Sequence, residues 1–82
     1  MSNRERISSE LAKHGVSIGV YDTDLERLSA NQIETVLEIA VHGSCDVEVS
    51  VNGVDSIVEV MYVDNEVDFH MLPKADYDEQ YN

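Results

Sequence analysis

The chain has 82 residues, enough for one modest hydrophobic core and too few for two. Its 43% hydrophobic content is that of an ordinary globular domain, which argues against global disorder, while 17 acids against 5 bases leave a formal charge of -12. Such a chain repels nucleic acid and anionic membranes and suits basic partners, multivalent cations or a high-salt solvent.

The first element is announced by Ser2-Asn3-Arg4-Glu5, a capping-box pattern in which hydroxyl and carboxylate each satisfy a free amide. A helix is expected from about Asn3 to His14, ending at Gly15 in a left-handed conformation. Its apolar stripe is thin, with Ile7, Leu11 and Ala12. The helix is therefore either loosely docked or completed by a partner. Val16, Ile18 and Val20 then alternate with Ser17, Gly19 and Tyr21 as a short strand that Gly19 weakens. Asp22-Thr23-Asp24 caps a turn holding Leu25 and Leu28. A second capping box, Ser29-Ala30-Asn31-Gln32, opens a helix to His42 with Gly43 after it. Ile33, Val36, Leu37, Ala40 and Val41 share one helical face. Leu28 lies nine residues before Leu37, which at about 100° per residue is the opposite side, so the helix begins at Ser29.

Asp46 to Leu72 carries the clearest pattern. Val47, Val49 and Val51 alternate with Asp46, Glu48 and Ser50 before Asn52-Gly53, a pair suited to a two-residue type I′ turn. Val54 to Val63 is rich in β-branched residues and ends at Asp64-Asn65, a second turn signal. The run from Glu66 to Leu72 stops at Pro73. Two-residue loops at both turns fix the register and hence the faces. One face carries Val47, Val49, Val51, Val54, Ser56, Val58, Val60, Tyr62, Val67, Phe69 and Met71. The other carries Asp46, Glu48, Asp55, Glu59, Glu66 and Asp68 among Ser50, Ile57, Met61, Val63, His70 and Leu72. Lys74 to Asn82 has no aliphatic residue larger than Ala75 and is expected to be an acidic, solvated tail after a single domain spanning residues 1–73.

The expected fold is an α+β two-layer sandwich of order α-β-α-β-β-β. Two helices cover the valine face of an antiparallel three-stranded meander, with the short strand near Val16–Val20 available as a fourth.

Candidate chemistry is sparse. His14 and His42 precede glycines at helix ends, where an imidazole can bond terminal carbonyls. His70 faces Glu59 across the meander, and Glu59 faces Asp46. That row has metal-ligand types, but a flat exposed site without supporting groups is better read as a histidine offsetting two acids. The lone Cys45 excludes an internal disulfide and is expected as a small residue between helix and sheet. No Gly-x-Ser-x-Gly elbow, calcium loop or phosphate loop is present. The chain is expected to be non-enzymatic, without cofactor or metal. No stretch nears the roughly 18 apolar residues of a membrane span, and Met1 to Arg6 do not form a secretory signal. A cytoplasmic location is the default expectation.

What remains is the acidic face. Ten acids and one base (Lys74) follow position 45, a charge of -9 against -3 for the first 45 residues. Carboxylates on a sheet are spaced about 4.8 Å across strands and about 6.8 Å along them, the latter about twice the 3.4 Å axial charge spacing of a nucleic-acid strand. The expected partner-binding set is Asp46, Glu48, Asp55, Ile57, Glu59, Met61, Glu66, Asp68 and His70, with the apolar members supplying contact area. In size and charge the chain resembles small acidic inhibitors encoded by phages, including anti-CRISPR and anti-restriction DNA mimics. That resemblance implies a basic partner, such as a nucleic-acid-binding protein or complex, whose binding surface is blocked. The alternative is a protein of a high-salt cytoplasm whose acidity is solvent adaptation.

Overall fold

A computed structural model describes residues 2–81. Met1 and the final tail residue, Asn82, lie outside the described residues. The described residues form an α+β fold with three α-helices and a four-stranded mixed sheet.

Helix α1 runs Asn3–Lys13, with Ser2 as N-cap and His14 as C-cap, and Gly15 takes the left-handed φ of 73°. Half of the expected capping box forms. Ser2 Oγ accepts from the Glu5 amide at 3.1 Å, but the Glu5 carboxylate meets the Ser2 hydroxyl at 3.2 Å instead of its amide. The thin stripe is completed from within the chain. Ile7 and Leu11 are fully buried, and polar ties arrive from the segment before the second helix. Glu26 Oε1 accepts from the Asn3 amide at 3.0 Å and Oε2 from the Arg4 amide at 2.9 Å. The Asn3 side-chain amide donates to the Leu25 and Leu28 carbonyls at 2.8 and 3.1 Å. A carboxylate over first-turn amides satisfies free donors and suits the positive end of the helix dipole. The Tyr21 hydroxyl also donates to Glu26. Burial, then the neighbouring carboxylate, raises the Tyr21 phenol well above its ordinary value, and that same bond, helped by the two amides, lowers Glu26.

Strand β1, Ser17–Tyr21, is followed by a 3-10 turn, Thr23–Arg27, whose N-cap Asp22 accepts from the Asp24 amide at 3.0 Å. This turn buries Leu25 and, just after it, Leu28. Helix α2, Ala30–Ala40, has the full reciprocal box between Ser29 and Gln32, and buries Ile33, Val36, Leu37 and Ala40.

Strands β2 (Cys45–Val51), β3 (Val54–Val63) and β4 (Glu66–Pro73) form the expected meander. Val51 faces Val54 and Val63 faces Glu66, so both loops have two residues, and Asn52, Gly53, Asp64 and Asn65 all have positive φ. Val58 and Val60 are buried beneath α1 and α2 with Val67 and Phe69. Val54 and Tyr62 have the right parity but lie near the strand ends, beyond the helices, and remain exposed.

The sheet order β1-β4-β3-β2 adds β1 parallel to β4, making a mixed sheet of what the meander alone would leave antiparallel. The register steps between Ile18–Val67 and Tyr21–Phe69, a bulge that fits one extra residue into β1. Tyr21 thereby turns inward, edge-on to Phe69, and Val20 turns out. The strict alternation expected for Val16, Ile18 and Val20 fails at this bulge.

The expected solvated tail is instead helical. Helix α3, Lys74–Tyr81, starts directly after Pro73 and contacts β3 and β4. It lies on the side of the sheet away from α1 and α2, because its ties reach Asp46 and Glu48. A local apolar count could not reveal it, since tyrosine and lysine make the attachment.

Candidate interaction surface

The outer face of the sheet is built by parity. Register places Asp46, Glu59 and His70 in one row, Glu48, Ile57 and Leu72 in the next, and Met61 beside Asp68 on the other flank. The carboxylates thus share a face, but they do not share one environment.

Helix α3 divides that face. The Tyr77 hydroxyl donates to Asp46 Oδ2 at 2.6 Å, and Lys74 Nζ lies 3.3 Å from Glu48 Oε1. The hydrogen bond and charge of Glu48 raise the Lys74 ammonium above its ordinary value. Ile57 is 6% exposed and lies outside the main core cluster. Its assignment to a partner surface is therefore corrected. Asp46 and Glu48 remain exposed, although each has an internal partner.

Asp68 also has a task inside the molecule. Its Oδ1 accepts from the Val20 amide at 2.9 Å, pinning the β1 bulge, and a Cβ at Gly19 would overlap the carboxylate. Glycine is needed there for close approach, which is the weakness the sequence registered in that strand. The signal for the pairing was Gly19 itself, but nothing local names Asp68 as its neighbour.

The other flank is open. Met61 and Val63 are 49% and 47% exposed, and Val20, beside Asp68, is 56% exposed. Glu66 and His70 are exposed around them, Glu59 is half-buried, and Asp55 is exposed near the Asn52-Gly53 turn. Apolar side chains set among carboxylates make a surface suited to a partner with both cationic and apolar groups.

Cys45 is exposed at the start of β2, so its expected place between helix and sheet is corrected. It lies beside Ile39 and His42 in an open hollow of about 300 Å³. A second cleft, about 380 Å³, lies between α1 and α2 and is lined by Arg6, Glu10, His14, Glu34 and Glu38 with Leu37 and Val41. Among the described residues, no group of three or more His, Cys, Asp or Glu side chains forms a metal-holding cluster. No described helix is long and apolar enough to cross a membrane.

Comparison with protein-family models, curated proteins and solved structures finds no match.

Proposed function

We propose that this chain is a non-enzymatic interaction module that docks its outer sheet face onto a basic protein surface, of the kind that binds nucleic acid, and blocks it. The observation that carries the reading is the open flank, where Met61, Val63 and Val20 are exposed beside Glu66, Asp68 and His70. Solvated acids steer a basic partner and set specificity, and the apolar floor supplies contact area. Helix α3 adds Asp76, Asp78 and Glu79 to the same side.

The test titrates the protein against a panel of basic DNA-binding domains preloaded with a fluorescent duplex. Displacement of the duplex is expected, weakening steeply as salt rises. Glu59→Lys with Glu66→Lys abolishes it. Met61→Ala with Val63→Ala weakens it with less salt dependence. Asp68 is left alone because it fastens β1. A double-lysine variant that competes as well as the parent sinks the proposal. Absence of any displacement, with a native state that unfolds in dilute buffer, favours adaptation to a high-salt solvent instead.

A further inference from the structure

The two edges of the sheet are not equivalent. Strand β1 is short and bulged, and the Asp68 carboxylate occupies its Val20 amide. Strand β2 is a regular edge of seven residues without proline or lysine. The two-residue loop makes Val51–Val54 a mutually bonded pair, so Val47, Val49 and Val51 spend their backbone groups on β3. Asp46, Glu48 and Ser50 therefore turn theirs outward. Among the described residues, two contacts meet that outward side. Gln32 Nε2 donates to the Ser50 carbonyl at 2.7 Å, and the Cys45 thiol sits 3.6 Å from the Asp46 carbonyl. No other described residue bonds the outward amides of Asp46, Glu48 and Ser50.

What flanks this edge specifies an occupant. On the helix side, at the start of β2, lies the hollow of about 300 Å³ formed by Glu38, Ile39, His42, Gly43, Ser44 and Cys45. On the other side stand the exposed carboxylates of Asp46 and Glu48. A strand laid along β2 points alternate side chains to these two sides. We infer that β2 receives an extended segment of a partner protein in which apolar and basic residues alternate, the apolar one beside Cys45 entering the Ile39 hollow and the basic ones meeting Asp46 and Glu48. Main-chain bonds supply affinity in such strand addition, and alternate side chains supply specificity. A second copy of this chain is a poor occupant. Antiparallel pairing about Glu48 would set Glu48 against Glu48, and like charges directly opposite are destabilising.

The inference rests on the proposed function only for the partner's positive charge, and it uses the β2 edge instead of the open flank around Met61 and Val63. The probe is an end-blocked eight-residue peptide alternating valine and lysine, added to the isotope-labelled full chain. Amide exchange at Asp46, Glu48 and Ser50 is expected to slow by about tenfold or more, with little change at Val47 and Val49, which already bond to β3. Two further peptides carry N-methyl groups on one or the other set of alternate residues. One set faces β2 and abolishes the protection; the other faces solvent and leaves it. Equal behaviour of the two methylated peptides, or no edge protection at millimolar peptide, overturns the inference. Shifts confined to Met61, Val63 and Glu66 also overturn it while supporting the outer-face reading. Edge protection that grows with protein concentration without peptide overturns the choice of partner in favour of self-association.

Discussion

The Asp68 carboxylate and the missing side chain of Gly19 occupy one small space, so each residue sets the cost of changing the other. Gly19→Ala is expected to destabilise by about 1–3 kcal/mol through overpacking. In an Asp68→Ala background the same change loses most of that cost, giving a coupling of about 1 kcal/mol or more by urea unfolding of the four proteins. A second residue-scale expectation concerns Tyr21 and Glu26. The lowered Glu26 pKa contributes stability that is present above its unfolded value, near 4.3, and is lost as the pH falls through its folded value. The raised Tyr21 pKa acts at the alkaline end. Its contribution is full below about pH 10 and is lost progressively as the pH rises further. Unfolding midpoints across pH are expected to fall at both ends in the parent. Tyr21→Phe keeps the more stable alkaline limb and Glu26→Gln has the flatter acid limb.

Among elements, α3 is the one whose attachment is weakest and most easily measured. The exposed Lys74–Glu48 and Tyr77–Asp46 ties fasten it to the face of the sheet that carries the buried Ile57. Ending the chain after Pro73 is expected to cost about 1–2 kcal/mol, within the value of burying one aliphatic side chain, and to leave the sheet spectrum intact. A loss of the fold would mean that α3 holds more than Ile57. The elements also differ in how plainly the amino acids announced them. The meander was legible because its valine alternation and two turn pairs agree, and a slip of one residue would have exposed the valines. Both capped helices were legible for the same reason of local agreement. The parallel placement of β1, the Glu26 cap on α1 and the docking of α3 were not. Each joins residues more than twenty positions apart, and no local periodicity encodes such a meeting. The candidate surface was accordingly half legible. Parity put the acids on one face, but Ile57 and Asp68 were assigned to a partner when α3 and β1 already use them.

For the molecule as a whole, the charge of -12 exceeds what its described ion pairs can offset. Lys13–Glu10 and Lys74–Glu48 are both exposed and salt-screened. Self-repulsion of this size opposes compaction. Thermal midpoints are therefore expected to rise between about 0.05 and 0.5 M sodium chloride as the Debye length shrinks. Glu59→Lys with Glu66→Lys is expected to flatten that rise. A midpoint indifferent to salt would mean that the acids are too well spread to repel one another appreciably.

The parallel pairing of β1 with β4 also sets an order of assembly. The Val20 amide meets Asp68 across 48 residues of chain, whereas the two hairpins close over loops of two residues each. The loop entropy of the β1 contact must be overcome after, or together with, the formation of its template. Stopped-flow kinetics are expected to show Val58→Ala slowing refolding, with Ile18→Val acting mainly by speeding unfolding. Strand β1, although it precedes the meander in the chain, would then be the last to find its place in the sheet.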